Sequence, residues 1–330
     1  MQLTFRAIDE LIPGEKWAGL FRRLWPAYRK WWLSEGELAR PTYLESCNAL
    51  EKHMPELLPV YHKLTELAGG GDQEARLLAG YCPPPYSAGC SQAVWPGPEP
   101  LLVRNYDYSP HAFDAVVLRT QWLGRKVLCM ADSMIGALDG INDDGLAVSL
   151  TFGGRRAVGM GFGIPIVLRY VLETCSAVDD AVKVLQRIPC HMAYNVTLLD
   201  SGKRHKTVFI SPDRPATVTA SAVATNHQHV VEWADHARAT ASVEREDYLL
   251  KKLTQRPVSE QKFVAAFQRP PLYSLSFERS FGTLYTAAYR PRAGTLDLHW
   301  PGISWSHSIA SCVTGTRAIN YEGLDHRSAS

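Results

Sequence analysis

The sequence lacks a charge imbalance, paired cysteines and long apolar runs, and each absence closes a class of function. Its formal net charge is +2 over 330 residues, too little to draw nucleic acid or an acidic membrane surface. No apolar run is long enough and free enough of charge to span a bilayer. The stretch "QLTFRAIDE" after Met1 has neither the basic segment nor the apolar core of a secretory signal. The seven cysteines (Cys47, Cys82, Cys90, Cys129, Cys175, Cys190 and Cys312) are odd in number and show no paired spacing. They read as reduced thiols, which implies a cytoplasmic protein without a disulfide framework. Internal repeats and low-complexity tracts are missing too. What remains, 46% hydrophobic and 21% charged residues, describes an ordinary soluble globular protein with a sizeable core.

The chain changes character at Cys90. Before it the pattern is helical. In "GEKWAGLFRRLWPAYRKWWLSEG" the apolar residues share one helical face, with a kink expected at Pro26. A membrane-surface helix is the alternative, but charges on the opposite face favour a stripe packed on the rest of the protein. The segment "YLESCNALEKHMPELLPVYHKLTELA" reads as a second helix that stops at Gly69-Gly70-Gly71, and "DQEARLLAGY" as a short third. Residues 1–89 are therefore expected to form a helical leader, apart from residues 90–330, where the pattern turns strand-rich.

After Cys90 the segments "EPLLVRNYDY", "DAVVLRTQWL", "RKVLCMAD" and "GLAVSLTF" are short apolar runs between tight turns, which predicts antiparallel hairpins. Two helices follow, "GIPIVLRYVLETC" and "SAVDDAVKVLQRI", the second opening on Ser176 and Asp179 as in a capping box. Strands return in "AYNVTLLD", "KTVFISP" and "ATVTASAVAT". A charged helix, "SVEREDYLLKKL", precedes a last hairpin around "LYTAAYRPRAGTLDLHW". This order predicts an α+β layered fold, two antiparallel sheets with helices outside. The polar tail "YEGLDHRSAS" is expected to fray.

Cys90 itself follows "CPPPYSAG" and opens a strand. A free thiol titrates near about 8.5 and needs help to attack a carbonyl. No histidine lies close in sequence. If the chain is cut before Cys90, the new α-amine, with an unperturbed pKa of about 7.7–8.0, becomes the nearest general base. Gly89 suits such a cut, because it has no side chain to block its carbonyl and tolerates a strained backbone. An N-to-S acyl shift followed by water would release the new amino terminus. Downstream, "VRNYDY" offers Arg104 and Asp107. At odd spacing they face opposite sides of a strand unless it has ended or bulged by Asp107; an end there is expected, so that both approach Cys90. An ordinary strand-end ion pair is the alternative reading.

Gly-Cys opening a strand, Arg-Asn-Tyr-Asp after the next turn, and then "INDDGLAVSLTFGG" together resemble the linear-amide hydrolases of the N-terminal nucleophile superfamily. The resemblance is strongest to the autoproteolytic group that includes penicillin acyl-coenzyme A acyltransferase; bile-salt hydrolase and acid ceramidase are more distant. It implies a four-layer αββα sandwich. It also implies that Cys90 is the nucleophile, that the cut falls between Gly89 and Cys90, and that Arg104 and Asp107 order the amino terminus and thiol. Asn226, in "VATNHQ", is similar to the family asparagine that faces the oxyanion, and Arg245, in "SVERE", to a later active-site arginine. Where bile-salt hydrolases carry a second oxyanion asparagine, Thr151 stands here, which leaves a backbone N–H of Thr151 or Phe152 to donate.

The implied activity is hydrolysis of a linear amide through an acyl-thioester on Cys90, with acyl transfer to an amine as the alternative. Two rivals are an uncut Cys–His hydrolase, with His227 or His229 as base, and a silent scaffold that binds a small acylated ligand. No cofactor and no metal is called for. The expected partners are a small-molecule amide and the chain's own cleaved leader, with self-association left open; nucleic acid and membrane are not expected. His227, His229 and His236 offer a zinc-like H-x-H pair without a third ligand at motif spacing. The glycines of "GMGFG" (Gly159, Gly161, Gly163) read as a flexible loop lining the substrate cleft, with residues from Phe152 to Phe162 setting specificity. Arg155 and Arg156 suit a substrate carboxylate, a coenzyme phosphate or plain solvent. Cys129 and Cys175 read as inert core, and "NVT" at Asn195 is a sequon only in a secreted protein.

Overall fold

The computed structural model, which describes residues 1–254, 258–279, 282–322 and 324, starts on a strand where the leader was read as helical. Strand β1 (Gln2–Asp9) buries Phe5 and Ala7 on one face, the period-two pattern of a strand. Helix α1 (Glu15–Trp32) then runs unbroken with Pro26 inside it. Its Trp17, Leu20, Phe21 and Trp32 are buried in the core, so the apolar stripe packs on the protein. The second helical segment is two helices, α2 (Tyr43–His53) and α3 (Leu58–Leu67), separated by a 3₁₀ turn at Pro55–Leu57. Pro55 has no N–H with which to continue α2. Helix α4 (Asp72–Leu78) ends the leader.

Strands β2 (Gly89–Trp95), β3 (Leu101–Tyr108), β4 (Val116–Thr120) and β5 (Val127–Asp132) follow, then β6 (Gly136–Asn142) and β7 (Leu146–Phe152). Helices α5 (Ile164–Thr174) and α6 (Val178–Arg187) come next. The capping box sits not at Ser176 and Asp179 but at the start of α2, between Thr42 and Glu45; the N-cap of α6 is Ala177, which has no side-chain acceptor. Strands β8 (Tyr194–Asp200), β9 (His205–Ser211), β10 (Arg214–Thr219) and the short β11 (Val223–Ala224) lead to α7 (Ala234–Ala239). Helices α8 (Ser242–Thr254) and α9 (Glu260–Ala266) precede β12 (Gly282–Arg290) and β13 (Thr295–Trp300). Strands β14 (Ile303–Ser308) and β15 (Gly315–Asn320) complete the described elements.

The strands form a nine-stranded sheet, β10-β9-β8-β7-β6-β5-β4-β1-β15, and a six-stranded sheet, β11-β2-β3-β12-β13-β14. Neighbours pair antiparallel except β1 and β4, which are parallel. The leader helices supply the long crossover that a parallel pair needs.

Three buried clusters define the layers. One joins α1 to α6 with the outer face of the large sheet, for example Trp17, Leu50 and Leu168 on Val116 and Val148. The second fills the gap between the sheets with Phe5, Cys90, Tyr106, Leu128, Tyr285 and Trp300. The third packs Leu249, Phe263 and Phe267 of the α8–α9 region on Val103 of the small sheet. The result is the αββα sandwich, and Cys90 lies in its middle gap. Among the described residues no helix is long and apolar enough to cross a membrane. In the tail, Tyr321 and Leu324 are buried, and 323 and 325–330 lie outside the described residues.

Candidate active site

The site begins where β11 stops. This strand pairs only with Ala93 and Gln92 of β2, so its ladder ends short of Cys90. Asn226, just past β11, supplies the missing partner with its side chain: the Cys90 N–H donates to Asn226 Oδ1 at 2.9 Å. Asn226 is itself fixed, its own N–H donating to Ser242 Oγ at 2.8 Å. Its Nδ2 donates to the carbonyls of Ala88, at 3.2 Å, and Phe152, at 3.1 Å.

Arg245, on α8, reaches the same peptide from the other side. Nη2 donates to Asn226 Oδ1 at 2.7 Å, and Nη1 to the Cys90 carbonyl at 2.6 Å. Nη1 also donates to Ser91 Oγ at 2.8 Å and Asp107 Oδ2 at 3.2 Å. A planar fork of donors can satisfy several acceptors at once, which an ammonium on a flexible stem does less well.

The thiol points into the gap between the sheets. Cys90 pairs with Tyr106 across the β2–β3 ladder, and Arg104, two residues from Tyr106, shares that face. Arg104 Nη2 donates to Cys90 Sγ at 3.5 Å. The guanidinium also pairs with the carboxylate of Asp139 on β6 and donates to Tyr285 Oη at 3.2 Å. Tyr285 in turn donates to Asp139 Oδ2 at 2.6 Å, and Tyr289 closes on the other carboxylate oxygen. Every member of this network is buried. Removing one partner of a buried ion pair leaves an uncompensated charge, at a cost of about 3–5 kcal/mol. Arg104→Met is therefore expected to lose stability of that size in urea unfolding, and adding Asp139→Asn should recover part of it. A loss no larger than about 0.5 kcal/mol, as for an ordinary surface change, would contradict the pairing.

Asp107 does not join Arg104 at the thiol. Strand β3 runs on to Tyr108, so the alternation holds and Asp107 faces the α8 side. Its carboxylate accepts from Thr283 Oγ1 at 2.8 Å and from Arg245. It also lies against Gly89, its partner in the ladder. A Cβ on Gly89 would sit 3.2 Å from Asp107 Cβ, tighter than most such contacts. Glycine is needed there for this close approach and not for strain, since Gly89 lies within strand β2.

Burial pushes the Cys90 thiol up from its ordinary value; the Arg104 guanidinium opposes that rise and Asp107 adds to it. Burial likewise raises the Asp107 carboxyl, against the pull of Arg245 and Thr283.

The remaining sequence candidates sort cleanly. Thr151 and Phe152 end β7 and pair with Asn195 and Tyr194 of β8. The Thr151 hydroxyl donates to the Thr225 carbonyl, so it holds the approach to Asn226 and does not touch Cys90. His227 is taken up by Ser242 Oγ at 2.8 Å and Glu246 Oε2 at 3.0 Å, and His229 packs on Phe209, so neither is placed as a base for Cys90. Among the described residues no group of three His, Cys, Asp or Glu side chains could hold a metal ion. Arg155 is paired with Asp213 and Glu232, and Arg156 lies over the Trp233 ring. The glycine loop is not a free flap: bridges Val158–Met192, Phe162–Cys190 and Tyr81–Phe162 pin it. Cys129 and Cys175 are buried, and so is Asn195, whose amide bonds Thr151 and two carbonyls.

A cleft opens on the far side of Tyr106, the ladder partner of Cys90, and none of the residues from Phe152 to Phe162 lines it. It has a volume of about 180 Å³ and is lined by Tyr28 and Trp31 of α1, by Tyr86, Tyr106 and Tyr108, and by His111 to Asp114. Sequence reasoning missed this, and it missed Asp139 too. Asp139 left one signal, a carboxylate inside the apolar strand "GALDGIN", where a charge is buried only if it is paired.

The model of the acyl-coenzyme A:6-aminopenicillanic acid acyl-transferase family matches residues 95–305. Among solved structures, a point mutant of conjugated bile acid hydrolase from Clostridium perfringens is similar at 12% identity, over 70% of this chain and 97% of that one, with a TM-score of 0.47. Penicillin V acylase from Agrobacterium tumefaciens is similar at 14% identity, over 73% and 89%, with a TM-score of 0.41. The Caenorhabditis elegans ortholog of N-acylethanolamine-hydrolyzing acid amidase is similar at 17% identity, over 62% and 93%, with a TM-score of 0.43. No curated protein matches the sequence.

Proposed function

The chain belongs to the acyl-coenzyme A:6-aminopenicillanic acid acyl-transferase family, and from that premise we propose an enzyme that cuts itself between Gly89 and Cys90 and then hydrolyses a linear amide. One observation carries the reading. The three polar groups of Cys90 are each held by a different side chain: the N–H by Asn226, the carbonyl by Arg245 and the thiol by Arg104. A cysteine that merely fills a core needs none of these.

In the self-cutting step Sγ attacks the Gly89 carbonyl carbon. The thiol proton passes to the Cys90 nitrogen, the C–N bond breaks, and the leader is left as a thioester on Sγ. Water then hydrolyses the thioester, so the leader ends in the Gly89 carboxylate, Sγ regains a proton and Cys90 carries a free α-amine. Asn226 Oδ1 already accepts from that nitrogen. Departure of Ala88 removes one of the two acceptors of Asn226 Nδ2 and frees the donor for an incoming oxyanion. Departure of Gly89 opens the space against Asp107, whose carboxylate then faces the new ammonium.

In the mature enzyme the α-amine takes the thiol proton and the thiolate attacks the amide carbonyl. The amine of the substrate leaves with a proton, and water resolves the acyl-thioester. The two pieces stay together after the cut. Trp17, Phe21, Leu50 and Leu57 of the leader share one core with Val116 and Ile166, each such side chain contributing about 1.5–3 kcal/mol. Strand β1 is also held between β4 and β15.

A pH profile tests the base. The active form has lost the α-amine proton, so kcat/KM should rise with pH through about 7.7–8.0, the ordinary range of that amine. A chelator should leave the profile unchanged. Loss of activity in chelator, restored by zinc, would move the chemistry to the histidine cluster.

A further inference from the structure

We propose that the cleft lined by Tyr106, the ladder partner of Cys90, receives a positively charged group of the substrate, an ammonium carried on an apolar or aromatic body. This rests on the amidase reading and adds to it the class of substrate. The walls are aromatic: Tyr28, Trp31, Tyr86, Tyr106, Tyr108 and Phe113. Aromatic faces carry partial negative charge and attract cations, the more so when water is excluded.

Two carboxyls lie in the same cleft, Asp114 and Asp132, and no lysine or arginine lines it. Asp114 is 6% exposed. Its Oδ1 accepts from the Tyr28 hydroxyl at 2.9 Å, while its Oδ2 is buried with no hydrogen-bond partner among the described residues. Asp132 accepts from Ser133 Oγ at 3.0 Å. Neither carboxyl has an ion pair among the described residues. Arg104, which acts on Asp132 through space, is committed to Asp139, and Arg23 acts on Asp114 without pairing with it. Other groups also bear on the pair: each carboxyl on the other, the Met134 and Ser133 N–H groups, which favour the ionised forms of Asp114 and Asp132, the hydroxyls of Tyr28, Tyr86, Tyr106 and Tyr108, and the exposed His111 at the rim.

A buried carboxyl with no cation is costly in its charged form and holds a proton instead. Burial pushes Asp132 up to about 6 and Asp114 well above the ordinary carboxylate range. A bound ammonium supplies the missing charge and the missing donor together. Position ties this cleft to the chemistry. Tyr106 lines the cleft, pairs with Cys90 across the ladder, and lies 4.7 Å under the Arg104 guanidinium that touches Sγ.

The test reads binding and not turnover, so its outcome is separate from whether the chain hydrolyses amides. Full-length Cys90→Ala protein keeps the cleft as described and is titrated calorimetrically with 2-phenylethylammonium and with its neutral isostere, 2-phenylethanol. At pH 7.5 the ammonium should bind at least tenfold more tightly. The gap should narrow below pH 6, where the carboxyls keep their protons, and close in Asp114→Asn and Asp132→Asn. Equal binding of the two probes, no binding of the ammonium, or tighter binding of 3-phenylpropionate would overturn the proposal. The comparison of probes and its pH dependence need no aspartate variant, so they stand even if an asparagine disrupts folding.

Discussion

Cys90→Ala is expected to give one folded, full-length chain with no amidase activity. The thiol is the attacking group of the proposed cut, and alanine removes it without touching the backbone bonds to Asn226 and Arg245. The lost sulfur leaves only a small void between the sheets, so circular dichroism should match the wild type. Cys90→Ser should cut slowly, because a hydroxyl is a weaker nucleophile than a thiol. A denaturing gel reads both variants. Normal splitting of the alanine variant at Gly89–Cys90 would assign the cut to another group, or to another protein.

Asn226→Ala should lower turnover by about 10²–10³-fold with a smaller effect on substrate binding, as for loss of one oxyanion donor. Its amide is the donor that the proposed cut would set free, and its carbonyl also holds the Cys90 nitrogen and receives Arg245. The substitution therefore slows self-cutting as well, so turnover must be counted per mature active site. Near-normal turnover in a mature, folded variant would remove Asn226 from the mechanism.

Cys90 stood out in the sequence because it opens a strand after Gly89, Asn226 came only from the family resemblance, and the structure brings the two together. Arg245 likewise came from the resemblance, and α8 brings it to the Cys90 peptide. The layer order followed from the run of hairpins, helices and hairpins. Asp107 was misplaced for a physical reason. Its approach to the thiol required β3 to end early, whereas the strand continues and the alternation puts Asp107 on the far face, against Gly89. Strand β1 was overlooked because "QLTFRAIDE" was weighed only as a signal peptide, although Phe5 and Ala7 already alternate. The cleft was invisible. Its walls come from α1, the approach to β2, the end of β3 and the end of β5, and no local pattern links Tyr28 to Asp132. The same holds for Asp139, which meets Arg104 only because the two sheets stack, and for Tyr285, which reaches it from the neighbouring strand β12.

Intact mass spectrometry of the purified wild-type protein under denaturing conditions is the most direct test of the central claim, that Cys90 is placed to become an amino terminus. The account predicts two polypeptides, residues 1–89 and 90–330, the larger beginning Cys-Ser-Gln-Ala, with masses that sum to the full chain plus one water. An active protein whose only species is the unbroken 330-residue chain would contradict it.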